Sequence, residues 1–316
     1  MNNFEELNTI LKNFTDKLVD INNYQSFIKN STKRSLEFYY DQLEKQKAFN
    51  IEDLTDFNSL SSWNIKDDSR ISIGHTKNTL DDLIEITQLQ NNKQYQNLLV
   101  DAYESFLKYL DELYVYLCIK DNSFWSNKIS DIDISNKNFE SLLKIIKNKN
   151  NRKEIICFKL KEHISTIELL EKKNPKNIDY VFEMNLIEQL RHWIVHNRGV
   201  IEEVDKLIKK IIPDITSLKK DTQQHLRAQV FYYVGEVSSE NFVLLLEFDH
   251  KENHKFSRRY NDRLGELISK LVSYAILLKD LSVWYLSDNE NLKILASNSE
   301  EYKKFFASSD LYKYLR

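Results

Sequence analysis

Seven consecutive residues, 191–197, carry the side chains best suited to chemistry; their sequence is Arg-His-Trp-Ile-Val-His-Asn. The guanidinium of Arg191 keeps its charge and can hold a phosphate with a planar set of donors, and the imidazoles of His192 and His196 can exchange a proton near neutral pH. Cutting an RNA backbone through its own 2′-hydroxyl needs a base, an acid and a cation for the charged phosphorane. We therefore assign proton transfer to His196 and charge stabilisation to Arg191. His192 and Asn197 are further candidate catalytic residues.

The spacing of Arg191 and His196 limits how the two side chains can work together. Five residues along a regular helix separate two side chains by about 140° around the axis. One straight helix therefore cannot easily aim both at a single phosphate. Either the helix is distorted near Asn197, or two copies of the chain share the site across a two-fold axis.

The motif lies at the end of a predicted amphipathic helix. This helix is expected to begin near Asp179, a residue type that favours the N-cap position. Its expected buried stripe consists of Phe182, Leu186, Leu190 and Trp193. Gly199 predicts a break or a close approach of the backbone just after the motif.

Four cations follow the catalytic candidates and could line an RNA path: Arg198, Lys206, Lys209 and Lys210. The three lysines belong to the next predicted helix, which ends before Pro213 because proline cannot continue it. A charge run of this kind is also typical of a solvated helix face. Both interpretations stay open.

The composition predicts a mainly α fold, because four glycines and two prolines are too few to form the turns of large sheets. Apolar residues at helical spacing predict further helices at residues 4–21, 31–47, 99–117, 139–146, 153–171 and 264–281. Residues 50–76 are polar and irregular, so we expect a long loop. Two β-rich runs within residues 230–248 predict a small hairpin.

The motif resembles the signature of the HEPN superfamily, in which an arginine and a histidine are a few residues apart and a polar residue follows the arginine. Arg191 and His196 match the pair, His192 matches the polar neighbour, and residues 194–199 look like the continuation seen in many bacterial members. The resemblance covers residues 94 to about 279. It implies an antiparallel helical bundle of HEPN type.

The domain organisation follows from this resemblance. The bundle is expected at residues 91–290, with a β-hairpin insertion at about 228–250. An N-terminal helical extension with a long loop precedes it at residues 1–90. A C-terminal helical tail follows at residues 291–316.

The resemblance also implies an activity. HEPN ribonucleases cleave RNA without a metal or another cofactor, and two motifs face each other across the cleft of a homodimer. The expected substrate is single-stranded or loop RNA, and the expected products carry a 2′,3′-cyclic phosphate and a 5′-hydroxyl. Bacterial members further suggest a toxin or an abortive-infection role against phage, with an antitoxin or a regulatory protein as a possible partner.

Four other interpretations stay open. His192 and His196 are four residues apart and share a helix face, so they could bind a metal, although no Glu-X-X-His pattern accompanies them. Arg191 and His196 could instead be structural and pair with acidic residues near the helix end. A HEPN-like bundle could bind a nucleotide, an RNA or a protein without cutting it, or it could be a scaffold with no nucleic-acid ligand.

Charge and cysteine content limit the possible partners and the expected cellular compartment. The formal net charge of −3 argues against a protein that coats duplex DNA through a large basic surface. Cys118 and Cys157 lie in apolar helical contexts and are expected to be free thiols, which fits a reducing compartment. The first residues do not resemble an export signal, and no apolar run is long enough for a membrane span. We therefore expect a cytoplasmic protein with no membrane partner.

Overall fold

The structure is a computed structural model of the chain. It describes residues 4–49, 56–131, 133–134, 137–174, 176–213, 215–237, 240–249 and 260–287. These residues are mainly helical and include small antiparallel sheets, as the composition predicts. The predicted tail at residues 291–316 lies outside the described residues.

The helices differ widely in length. They are α1 (Glu5–Phe49), α2 (Leu80–Lys120), α3 (Phe139–Lys147), α4 (Arg152–His163), α5 (Thr166–Lys172), α6 (Tyr180–Asn197), α7 (Val204–Ile211), α8 (Lys220–Phe231) and α9 (Arg263–Leu286). The strands are β1 (Asp56–Trp63), β2 (Arg70–Asn78), β3 (Val200–Ile201), β4 (Val234–Val237), β5 (Glu240–Val243), β6 (Phe248–Asp249) and β7 (Tyr260–Asn261).

The chain divides into two compact units. One unit comprises Met1–Ile21 together with Gln96–Arg316, and the other comprises Asn22–Tyr95. The first 21 residues therefore group with the larger unit, whereas the sequence analysis placed them with the N-terminal extension. The motif helix α6 and the part of α2 from Gln96 onward belong to the larger unit.

The loop predicted at residues 50–76 is wrong for the part that the structure describes, because β1 and β2 form an antiparallel hairpin there. In β2 serine alternates with apolar residues, as in Ile71-Ser72-Ile73, and this period of two is the strand signal. β1 lacks the signal, because Leu60 and Trp63 are three residues apart with two serines between them. The many serines made the segment look like a loop. Residues 50–55 lie outside the described residues.

Two helix boundaries also differ from the prediction. The helices predicted at 4–21 and 31–47 are one continuous helix, α1, since the polar residues between them include no glycine or proline that would break it. The helix predicted at 153–171 is two helices, α4 and α5, which meet at Ile164. Ile164 leaves helical geometry and buries its side chain, so packing of that side chain accompanies the break.

The core of the larger unit lies between α2 and α9 and extends to α6. The predicted stripe of α2 is confirmed, because all of its members are buried: Leu99, Tyr103, Phe106, Leu110, Leu113 and Leu117. The Tyr109 hydroxyl donates to the carbonyl of Ala275 at 2.7 Å and thereby ties α2 to α9. The stripe of α6 is confirmed in the same way by the burial of Phe182, Leu186, Leu190 and Trp193.

A small sheet stands next to the end of α6. β4 and β5 form the predicted hairpin, although Val230 and Phe231 belong to α8 instead. β5 also pairs with β3, so the sheet has the order β3-β5-β4. This arrangement attaches the segment after the motif to the hairpin.

Two further findings concern the cysteines and the search for a membrane-spanning helix. Cys118 and Cys157 are both free, and Cys118 is fully buried. Within the part of the chain that the structure describes, no helix combines the length and apolar character needed to cross a membrane.

Candidate functional site

The motif helix α6 has defined caps at both ends. Asp179 is the N-cap, as predicted, and its carboxylate accepts from the amide of Phe182 at 3.0 Å. The helix continues without interruption through Asn197 and ends at Arg198, which has a left-handed φ of 56°. The distortion considered near Asn197 is therefore wrong, because the backbone leaves the helix only after the motif.

Gly199 is the point where the motif segment enters the sheet. Its φ of 83° lies in the left-handed region that favours glycine. A Cβ atom at this position would lie 2.5 Å from Nε2 of Gln96, and that Nε2 donates to the carbonyl of Val243 at 2.7 Å. The carbonyl of Gly199 accepts from the amide of Val243 at 2.8 Å. The prediction of a close approach at Gly199 is thus confirmed.

Arg191 has a partner on a different helix. Its Nη2 donates to Oε1 of Glu104 on α2 at 2.5 Å, with the two side chains 28% and 44% exposed. Its Nε is closed to solvent and has no hydrogen-bond partner among the described residues. The structural interpretation of Arg191 therefore has direct support, but one donor of the guanidinium is left for another group.

The two histidines of the motif lie together. The ring centroids of His192 and His196 are 4.6 Å apart, and the rings are tilted by 47°. His192 is half-buried, whereas His196 is exposed near the end of α6. Burial lowers the pKa of His192, and the positive charges of Lys210, His196 and Arg191 lower it further. Neutral His192 can accept a proton at physiological pH.

The remaining predicted site residues lie at the end of α6 and on α7. Asn197 is half-buried as the last residue of α6, and Arg198 is exposed at the cap. Lys206, Lys209 and Lys210 are exposed on α7. Among these three lysines, Lys210 is the one whose charge acts on His192.

A cleft beside Arg191 and His192 was missed by the sequence analysis. It has a volume of about 320 Å³ and is bordered by α2, the start of α4 and α6. Arg152 and Lys153 contribute two further cations from α4. No periodic signal could have found this cleft, because its walls come from segments far apart in the chain.

The cations of the cleft are paired with carboxylates. The ammonium of Lys153 contacts the carboxylate of Glu188, and Nε of Arg152 lies 3.2 Å from Oδ1 of Asp111. Burial raises the pKa of Asp111 to about 6, although the charge of Arg152 opposes this shift. Arg152 and Lys153 are therefore cations of the lining whose charges are balanced by neighbouring carboxylates.

The metal interpretation gains no third ligand. In the described part of the chain, no three or more His, Cys, Asp or Glu side chains are grouped so that they could hold a metal ion. His192 and His196 remain a pair of imidazoles on one helix face. Each imidazole can exchange a proton with solvent or with a bound substrate.

Comparison of the chain with protein-family models, with curated proteins and with solved structures found no match. The resemblance to the HEPN superfamily therefore depends on residues 191–199 and on the helical character of the fold. The functional argument has to start from the chemistry of Arg191, His192 and His196.

Proposed function

We propose that the chain is a metal-independent endoribonuclease with a bundle of HEPN type. The observation that carries this proposal is the grouping of one fixed cation with two imidazoles. Arg191 and His192 line the same cleft, and the ring of His196 is 4.6 Å from that of His192. The substrate is single-stranded or loop RNA, because the reaction needs a 2′-hydroxyl that can reach its own phosphate.

The proposed reaction is a transesterification. An imidazole takes the proton of the 2′-hydroxyl, and the 2′-oxygen forms a bond to phosphorus. The bond from phosphorus to the 5′-oxygen breaks, and this oxygen receives a proton from a second, protonated imidazole. Arg191 stabilises the additional negative charge on the non-bridging oxygens. The products carry a 2′,3′-cyclic phosphate and a 5′-hydroxyl.

The placement of the imidazoles supports a site shared by two copies. In-line displacement puts the attacking and the leaving oxygen on opposite sides of phosphorus. His192 and His196 of one chain are adjacent and stand on the same helix face, so they approach a phosphate from one side. A second copy related by a two-fold axis would supply the imidazole on the other side. We therefore propose a homodimer with a composite site.

The biological setting follows the resemblance alone. An RNA-cleaving enzyme that is restrained until needed fits a toxin or an anti-phage defence protein. The restraining partner would be an antitoxin or a regulatory protein. Expression of the parent chain in growing bacteria should arrest growth, and expression of the His196→Gln chain should not.

A second candidate function is a binding module that holds RNA, a nucleotide or a protein without cutting it. The ion pair between Arg191 and Glu104 favours this alternative, because a guanidinium held by a carboxylate is less available to stabilise the charged phosphorane that cleavage requires. Binding without product in the cleavage assay would support the module.

The test is an RNA cleavage assay in the presence of EDTA. The parent chain should cleave single-stranded RNA under these conditions, and an RNA with 2′-deoxyribose at the cleaved position should resist. The variants His196→Gln and Arg191→Gln should lose at least about a hundredfold in rate, the usual contribution of a proton-transfer group or an oxyanion donor. Lys172→Gln, at the exposed end of α5, is the control for a lost surface charge. Unchanged rates in both motif variants would end the proposal.

A further inference from the structure

The cleft between α2, α4 and α6 has the dimensions of a small-ligand site. Its volume of about 320 Å³ is near the lower end of the range for pockets that bind small molecules. His192 and Arg191 form one of its walls. A group bound in the cleft would therefore be next to the motif.

The start of α4 faces this cleft. The helix has 12 residues and begins at Arg152, and its N-cap residue, Asn151, makes no side-chain hydrogen bond to the first turn. Asn150 and Lys153 line the cleft on either side of this start. The first amides of a helix have no partners within the helix and carry a partial positive charge. Such amides are suited to the oxygens of an anion.

A buried hydroxyl independently points to a ligand. Tyr103 lines the cleft and is only 3% exposed. The ammonium of Lys153 is close enough to donate to its oxygen, but an ammonium cannot accept. The proton of the hydroxyl therefore has no acceptor among the described residues. A buried hydroxyl without a good partner costs free energy. An acceptor oxygen bound in the cleft would satisfy it.

Two more polar atoms of the lining are in the same situation. Nε of Arg191 and Oε1 of Gln189 are closed to solvent and have no partner among the described residues. Both residues line the cleft on α6. The lining therefore offers two donors to an anion and one acceptor to a hydroxyl or amino group.

The charge of the cleft can be adjusted by one side chain. Glu188 balances Lys153, Asp111 balances Arg152, and Glu104 balances Arg191. Glu154 also lines the cleft and is exposed to solvent. The side chain of Asp111 is 2% exposed, whereas that of Glu104 is 44% exposed. Glu104 can therefore turn toward solvent when a phosphate takes its place beside Arg191.

We propose that this cleft binds a phosphate ester through the first amides of α4, the Tyr103 hydroxyl and Nε of Arg191, while the terminal nitrogens of the same guanidinium hold the neighbouring, cleaved phosphate. Because the cleft adjoins His192, the phosphate is the one next to the cleaved phosphate of an RNA strand, and this choice of source rests on the proposed function. A free nucleotide has the same chemistry. The acceptor of Gln189 then binds a hydroxyl or amino group of the attached nucleoside.

The experiment measures binding by isothermal titration calorimetry with three probes. The probes are inorganic phosphate, AMP and a hexaribonucleotide with 2′-O-methyl groups, which cannot be cleaved through its 2′-oxygen. The first variant, Tyr103→Phe, removes a hydroxyl whose proton has no acceptor among the described residues. Lys153 keeps its ion pair with Glu188, so folding should be unaffected. The second, Asn150→Asp, places a carboxylate before α4, where it favours the helix but repels a phosphate.

Tyr109→Phe is the matched control, because its hydroxyl lies on the same helix but donates to the carbonyl of Ala275. Both cleft variants should bind the probes about tenfold more weakly, the loss expected for one hydrogen bond to a charged group, with an unchanged melting temperature or a higher one. Tyr109→Phe should show the opposite pattern, with a lower melting temperature and parental affinity. This contrast separates a binding role from a structural role.

The binding results distinguish an RNA site, a free-nucleotide site and the absence of a phosphate site. A hexamer that binds more tightly than AMP, with both weakened by the variants, assigns the site to RNA; AMP that binds as tightly as the hexamer assigns it to a free nucleotide. Either result supports the phosphate site. Parental affinity in both cleft variants, or no binding of any probe at millimolar concentration, overturns it. Binding of the probes by a parent chain that does not cleave RNA would support the phosphate site while the ribonuclease proposal fails.

Discussion

Replacing Glu104 with glutamine should increase the rate of RNA cleavage. Glu104 holds Nη2 of Arg191 at 2.5 Å, and a substrate phosphate has to compete with this carboxylate for the same guanidinium. Glutamine has the same length and shape but no charge. The variant therefore releases Arg191 and also removes a negative charge from the wall of the cleft.

The size of the effect follows from the exposure of the pair. Arg191 and Glu104 are 28% and 44% exposed, so solvent screens their attraction, and pairs of this kind contribute about 0.2–1 kcal/mol. Removing a competitor of that strength corresponds to an increase in kcat/KM of up to about fivefold. The free energy of unfolding should fall by no more than the same amount.

The assay compares kcat/KM for a short single-stranded RNA between the parent and Glu104→Gln in EDTA. Asp16→Asn is the control, because it removes one carboxylate from an exposed ion pair with Lys12 and so changes the net charge equally. The reasoning is refuted if Glu104→Gln cleaves more slowly than the parent. A structural role for the ion pair would give that result, since Arg191 would then lose its orientation.

Two further predictions concern stability and pH. Gly199→Ala should lower the free energy of unfolding by about 2–3 kcal/mol, the sum of left-handed strain and a displaced Gln96 hydrogen bond. Gly74→Ala is the control, because φ is 67° there and the added Cβ meets open space. This variant should lose only the strain of about 1–2 kcal/mol. If chemical denaturation shows the same loss for both variants, the close packing of Gly199 against Gln96 is contradicted. Because burial and neighbouring cations lower the pKa of His192 from 6.5, its NMR titration should have a midpoint below 6.5. Between 6.5 and this lower midpoint the unfolded chain binds more protons than the folded chain. Stability therefore falls as the pH decreases through this window, and His192→Gln should remove this part of the slope.

Local rules were sufficient to predict the motif helix. The side chain of Asp179 can satisfy an amide only at a helix start, and the spacing of Phe182, Leu186 and Leu190 can bury one face only in a helix. Gly199 was recognisable because a left-handed residue after a helix favours glycine. The structure agrees at each of these positions.

The parts that were missed depend on distant residues. Glu104 and Arg191 are 87 positions apart, and no sequence pattern relates them. The cleft needs the start of α4 beside α2 and α6, which is a property of packing. The β1–β2 hairpin was missed because serine fills its polar positions, and the break at Ile164 was missed because its side chain continues the apolar pattern of the helix.

The central claim is that Arg191 and His196 of two copies form one RNA-cleaving site, and mixing parent and inactive subunits tests it most directly. Parent and His196→Gln chains are unfolded together in equal amounts, refolded and assayed on RNA in EDTA. If the site needs His196 from both copies, only the quarter of randomly mixed dimers that contain two parent chains can cleave, and about a quarter of the activity of the same amount of parent should remain. About half of that activity, as expected when each chain cleaves by itself, would contradict the shared site.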